Sequence, residues 1–403
     1  MAVALLIGVL SVTAAALNPA LYPAQFTRGP APLDQWVVQY LTNANIPNVP
    51  VNKVPNPFPD WTLDETACEK SNAWAITFDD GPGDFTPILL DLLDKAHVKI
   101  TFFVVGSRLL SADQANVLLR AYQAGHQIGI HTWSHMPLTT QTNEQILGEI
   151  LWSGSAIQEI TGVFPQYFRP PYGDIDPRVR AIIHSVGLKT IVWNEDSKDW
   201  LQADPSSAKA YNFSYNDLPN EFASWIQNPP EPDGGIISLQ HDLFGGVDKV
   251  VNQCLQMVMS AGYNILPVGN CISNPVPWYW KDNTSAAWSV GNALNNGGAI
   301  APPEARALNL SQTNASKAEA NTSAISSQAT QSKFVETASA APTTLASVGS
   351  LTVSKVGAAV SFQQPGMKEA FHSMRDASSA SSNTCIFEKA SNMVLFTLMN
   401  LLL

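Results

Sequence analysis

The sequence predicts an α/β domain in which a parallel sheet carries helices on its outside, either as an open doubly wound sheet or as a barrel. Three observations predict it. Between Cys68 and Cys271, seven short apolar runs alternate with longer segments of helical periodicity. The clusters of polar residues in this region fall immediately after apolar runs, at the C-terminal ends of strands, where parallel α/β proteins collect their chemistry. A hydrophobic content of 45% over 403 residues is ample for a full core, but it is unevenly spread, and both ends of the chain have a different character.

The expected strands are 74–78, 100–105, 127–130, 167–169, 189–193, 236–240 and 264–268. The expected helices are 87–96, 114–124, 144–160, 177–185 and 247–260, with a poorly defined stretch at 206–226. Ahead of them, residues 1–16 are small or apolar without a charged side chain, and Ala14, Ala15 and Ala16 offer a small-residue cleavage site, the pattern of a secretory signal peptide. Residues 17–66 form a proline- and asparagine-rich extension with one amphipathic stretch, 34–41, expected to lie on the domain surface and to hold no chemistry.

From 282 to 383 alanine, serine, threonine and asparagine dominate, and too little apolar surface is available to offset ordering entropy, so a disordered, O-glycosylated stalk is expected. Residues 384–403 end in an apolar run, 393–403, too short at about 1.5 Å per residue to cross a hydrocarbon core of about 30 Å. A spacer with Glu388 and Lys389 and a small-residue cluster at 378–383 precede it, which is the order of a GPI-attachment signal. The expected location is therefore the outer face of the cell membrane.

A net charge of −11 and a pI near 5.0 argue against nucleic acid or an anionic membrane surface as partner and favour a neutral or cationic ligand. Asn212, Asn283, Asn309, Asn314 and Asn321 begin glycosylation sequons, which suit a secreted chain. Cys68 precedes the first strand and Cys271 follows the last, so a closed barrel would bring them together as a disulfide, leaving Cys254 a buried thiol beside Leu255 and Met257.

The most informative stretch is 75–82. An apolar run stops at Asp79 and Asp80, and Gly81-Pro82 turns the chain, leaving two carboxylates at a strand mouth; strand alternation points them to opposite faces, hence to different tasks. His131 and His135 follow the third strand, four residues apart and so on one face of a helical turn. A carboxylate from Asp79 or Asp80 would complete a two-histidine, one-carboxylate metal site with open positions. Arg169-Pro170-Pro171-Tyr172-Gly173, Asp196-Ser197-Lys198-Asp199-Trp200 and Leu239-Gln240-His241-Asp242 mark three further strand ends. Taken singly, each has a plainer reading as turn or loop. Trp133 and Trp200, inside these clusters, are candidates for stacking on sugar faces, whereas Trp74, Trp152 and Trp193 read as core and His97, His126, His184 and His372 as non-ligands.

Five polar clusters at five strand ends, TFDDGP, HTWSH, RPPYG, DSKDW and LQHD in that order, resemble the five motifs of the NodB-type polysaccharide deacetylases, carbohydrate esterase family four, and the GPI-anchored fungal chitin deacetylases in particular. The resemblance covers about Cys68 to Cys271 and places a catalytic domain at 67–275. It implies a distorted (β/α) barrel of about seven parallel strands, acting as a monomer on chitin and chitooligosaccharides in the cell wall. It further implies Asp79 as general base, Asp80, His131 and His135 as ligands of Zn2+ or Co2+, His241 as general acid, Arg169 as the residue orienting the base, and Asp199 as the partner of His241. The Tyr172 backbone N–H would bind the oxyanion, and Trp200 and Leu239 would wall the acetyl pocket. The competing readings are an O-acetyl esterase acting on xylan, a deacetylase of another N-acetylhexosamine polymer, and a non-catalytic wall-binding protein.

Overall fold

A computed structural model describes residues 16–280 other than 43, 204 and 231–233. The expected signal peptide, stalk and GPI signal, and with them Asn283, Asn309, Asn314, Asn321, His372 and Cys385, lie outside the described residues. Within them the chain forms β1 (Ala73–Asp79), β2 (Thr101–Val104), β3 (Gln127–Ile130), β4 (Tyr167–Phe168), β5 (Lys189–Thr190), β6 (Glu195–Asp196), β7 (Ile236–His241) and β8 (Asn264–Ile265). Every pairing is parallel, in the order β5-β4-β3-β2-β1-β7-β6, with β8 also on β1.

The two outermost strands of this path, β5 and β6, are neighbours in sequence. One extended segment therefore serves both edges and closes the sheet into a distorted barrel, which settles the choice the sequence leaves open. A single strand over 189–193 is expected there; the structure instead breaks it, because the segment must leave β4 and join β7. Asn194 bridges the break: its side chain donates to the Gly235 carbonyl at 3.0 Å and accepts from the Ile237 N–H at 2.8 Å.

Strand alternation sorts side chains between two cores. Trp74, Ile76 and Phe78 of β1, with Phe102, Val104, Ile128 and Ile130, face the helices. Ala75, Phe103, Tyr167, Ile237 and Leu239 pack inside the barrel. Gly129 is required at its place in β3, because a Cβ there would overlap the Phe103 ring.

Nine α-helices accompany this sheet among the described residues. They are α1 (Asp34–Tyr40), α2 (Thr86–Ala96), α3 (Ala112–Gln123), α4 (Asn143–Thr161), α5 (Pro177–Ser185), α6 (Pro205–Ala210), α7 (Leu218–Gln227), α8 (Val247–Ser260) and α9 (Val268–Cys271). α4 starts at a capping box, Thr142 with Gln145, and stops at Gly162 in the left-handed conformation. The ill-defined stretch at 206–226 resolves into α6 and α7.

The extension differs from expectation. Rather than lying on the surface, it contributes Leu17, Tyr22, Trp36 and Tyr40 to the outer core, and Trp36 meets Trp152 of α4 edge to face at 4.9 Å. The packed region also runs past 275: the Tyr167 hydroxyl donates to the Val276 carbonyl, and the Gln166 N–H to that of Trp278.

Closure of the barrel brings the two ends of the domain together. Cys68 and Cys271 form a disulfide with Cα atoms 4.8 Å apart across 203 residues of sequence, and Cys254 is a buried free thiol. A crosslink around so long a loop typically stabilises a domain by about 2–4 kcal/mol.

Candidate active site

Asp79, His131, Arg169, Asp199 and His241 all stand at or just beyond the C-terminal ends of strands, and barrel closure turns those ends toward one another. Five non-glycine residues in or beside these loops hold a positive φ: Asp80 (75°), Thr132 (68°), His135 (61°), Tyr172 (60°) and Lys198 (57°). Such conformations cost free energy and are kept where surrounding contacts fix them.

Asp80 shows what this achieves. Alternation in a regular strand would send its carboxylate away from that of Asp79, but the chain leaves β1 in the left-handed region. Asp79 Oδ2 and Asp80 Oδ1 consequently lie 3.6 Å and 3.4 Å from the same atom, His131 Nε2. The turn is possible because residue 81 is glycine, since a Cβ would overlap the buried Asp242 carboxylate.

The histidine pair also converges by a different route from the expected helical turn. Residues 131–135 form a loop with two left-handed residues, and the rings sit 5.1 Å apart between centroids. His135 Nε2 is 3.0 Å from Asp80 Oδ1. His131 Nδ1 is 2.8 Å from the Arg169 carbonyl, which can only accept, so Nδ1 carries a proton and Nε2 is the ring atom turned toward Asp80.

One ligand atom from each of Asp80, His131 and His135 lies within 4.8 Å of the others. Asp80 Oδ1 is buried without a hydrogen-bond partner. Burial pushes its carboxyl up, yet the neighbouring His135 and His131 imidazoles hold it well below the usual carboxylate range. An ionised carboxylate with two imidazoles, whose facing nitrogens would give up any proton to a cation, is a donor set that suits zinc or another borderline divalent ion.

Asp79 has different partners. Arg169 Nη1 donates to Asp79 Oδ1 at 2.9 Å and to Thr77 Oγ1 at 2.6 Å, while Nη2 donates to the Val192 carbonyl at 2.8 Å. The guanidinium is fully buried and lies over the Phe103 ring, 4.2 Å from its centroid. Opposite, the Asp199 carboxylate is 2.6 Å from His241 Nδ1 and accepts from the His241 backbone N–H at 2.8 Å. Burial pulls the imidazole down, but the Asp199 charge and hydrogen bond outweigh it and push His241 up to about 10.

Other expectations fare unevenly. Tyr172 closes on the cluster of Asp80, His131 and His135, its ring 4.7 Å from that of His135. Trp200 is half-buried next to Asp199, and Leu239 is buried inside the barrel. Trp133 is corrected: it is fully buried, stacks on Tyr22 at 5.8 Å and donates to the Ala24 carbonyl, so the extension covers the face a sugar would need. Trp74, Trp152 and Trp193 are buried as expected, and His126 is a buried core histidine whose pKa desolvation lowers to about 4. Asn212 is exposed.

Sequence reasoning passed over Glu149. This α4 carboxylate is fully buried, where desolvation raises its pKa, and it accepts from the backbone N–H groups of Trp133 and Ser134, each at 2.8 Å, from the Ser134 hydroxyl, and from the Gly29 N–H at 3.1 Å. It gathers the loop between His131 and His135 and ties it to the extension. A glutamate among buried positions of an apolar helix was the available signal. The extension itself, expected to lack chemistry, lines a cavity beside His135 and Tyr172.

The chain is similar to known proteins. A family model described as polysaccharide deacetylase matches residues 66–191. The chain is 40% identical over 222 residues to chitin deacetylase 1 of Cryptococcus neoformans var. grubii, covering 52% of this chain and 46% of that protein. It is 33% identical over 217 residues to a chitin deacetylase of Pestalotiopsis sp, covering 53% and 68% respectively. The solved chitin deacetylase of Colletotrichum lindemuthianum superposes with a TM-score of 0.48 at 26% identity, over 57% of this chain and 98% of that one. The chain spans about half the length of the first curated relatives it matches.

Glu149→Ala, by releasing the backbone of the loop between His131 and His135, is expected to weaken zinc binding by about tenfold, with Glu149→Gln retaining more. Titration of the chelator-stripped protein with zinc measures it, and equal affinity in Glu149→Ala and the parent rejects the role.

Proposed function

This chain belongs to the polysaccharide deacetylase family, and on that premise we propose that it hydrolyses the N-acetyl groups of chitin, releasing acetate and leaving chitosan. The observation carrying this reading is one buried carboxylate held by Arg169 and one imidazole held by Asp199, beside the Asp80, His131 and His135 cluster. An acid, a base and a ligand set are what amide hydrolysis demands.

A divalent ion held by Asp80, His131 and His135, which we take to be zinc or cobalt, would supply polarisation of the acetyl carbonyl and a more acidic water. Asp79 removes the proton from the attacking water, its other oxygen occupied by Arg169 and its geometry thereby fixed. The Tyr172 backbone N–H donates to the oxygen on which charge develops, an interaction often worth about 2.7–4 kcal/mol. His241 delivers a proton to the nitrogen as the C–N bond breaks, since an amine leaves poorly as an anion. Asp199 keeps that imidazole charged and turned toward the site. Trp200 and Leu239 border the acetyl methyl.

The substrate assignment draws on the printed names of the relatives, of which two thirds or more is matched in the Pestalotiopsis protein. The same reading takes chitooligosaccharides as substrates, a monomeric enzyme, glycosylation at Asn212, and secretion with a GPI anchor that holds the domain at the outer cell surface and wall. The apolar start at 1–16 and the cluster, spacer and apolar run at 378–403 support the anchor. No helix among the described residues is long and apolar enough to cross a membrane.

Acetate release from chitin pentamer should stop on chelation and return with zinc or cobalt; activity that survives exhaustive chelation overturns the metal-dependent reading. Asp79→Asn and His241→Ala should each abolish turnover while Asp79→Asn still binds zinc. The alkaline limb of the pH profile follows loss of the His241 proton. Because Asp199 raises that pKa, Asp199→Asn should move the limb to lower pH by about one unit or more, and a fixed limb would remove His241 from the acid role. If the anchor is present, phosphatidylinositol-specific phospholipase C should release the protein from cell membranes, and complete retention would discard it.

A further inference from the structure

The extension forms one wall of a cavity of about 410 Å3 whose other wall is the metal cluster loop. That is within the range of small-molecule sites, roughly 300–1,000 Å3. Phe26, Arg28 and Lys53 contribute from the extension, and His135, Met136 and Tyr172 from the catalytic side. Both arms of the extension are pinned close to the residues that line it. Around Phe26 and Arg28, the Ala24 carbonyl accepts from Trp133 Nε1 at 3.3 Å and the Gly29 N–H donates to Glu149 at 3.1 Å. Around Lys53, the Asn52 N–H donates to the Thr139 carbonyl at 2.9 Å and the Asn56 N–H to Asp174 at 2.8 Å. The cavity is thus a fixed feature of the fold.

Its charge runs against that of the chain. With a net charge of −11 overall, the only Lys, Arg, Asp or Glu side chains lining it among the described residues are the two cations Arg28 and Lys53. Phe26 is 44% exposed and offers an apolar ring.

Resting on the deacetylase reading, we infer that this cavity is a subsite for the sugar next to the one being deacetylated, and that Arg28 and Lys53 make it select an N-acetylated neighbour over a deacetylated one. The apolar face of a pyranose packs on Phe26. An acetamide carbonyl accepts hydrogen bonds from either cation, whereas the ammonium of a deacetylated sugar meets two like charges and offers them no acceptor. The enzyme would then disfavour acting beside its own product, and its products would carry spaced rather than contiguous free amines.

The test compares affinities of fully acetylated chitin pentamer and of glucosamine pentamer for the zinc-loaded full chain, by calorimetry at pH 5.5. An Asp79→Asn background prevents turnover. The preference for the acetylated pentamer should shrink about tenfold in Arg28→Gln/Lys53→Gln, and in the parent it should weaken as salt is raised. A preference unchanged by the double substitution, or insensitive to salt, overturns the inference even where acetate release by the Asp79 enzyme is intact. Failure of that enzyme to release acetate from chitin pentamer instead overturns the deacetylase reading, and binding of neither pentamer overturns both.

Discussion

A guanidinium enclosed by the barrel is the interaction on which the rest of the site depends. Arg169 follows β4, yet its donors reach Thr77 and Asp79 of β1 and the backbone at Val192 beyond β5. A buried charge is tolerated only when paired and hydrogen-bonded. Arg169 satisfies that condition only if the sheet has curled far enough to bring three separate strand segments around it. Barrel closure and the orientation of Asp79 are accordingly one event, and the carbonyl of the same residue sets the His131 tautomer.

The loops around this centre are strained for a purpose visible in the contacts. Two adjacent carboxylates serve one site because Asp80 abandons the strand conformation, and two histidines meet because the segment between them is gathered by Glu149 rather than wound into a helix. The buried acid thus does for the ligand loop what Arg169 does for Asp79. On the far side, the single carboxylate of Asp199 receives both the ring and the backbone N–H of His241, fixing charge and orientation together.

The amino-terminal extension is part of the packed domain rather than a surface appendage. Its aromatic residues belong to the outer core, its backbone closes over Trp133, and it supplies cations to a cavity that the barrel alone would leave half-walled.

Much of this was legible in the amino-acid order. The run of apolar strands and amphipathic helices determined a parallel α/β sheet, because side-chain periodicity is a local property of the backbone; α5 and α8 begin and end where periodicity places them. The polar clusters at strand ends likewise marked Asp79, Asp80, His131, His135, Arg169, Asp199 and His241. Tertiary structure alone decided that the sheet closes, that a broken strand at 189–196 makes the seam, that Trp133 is sealed under Tyr22, and that Glu149 and the extension belong to the site. Each of these depends on contacts between residues far apart in sequence, and no local pattern of hydrophobicity or turn chemistry encodes which distant groups will meet.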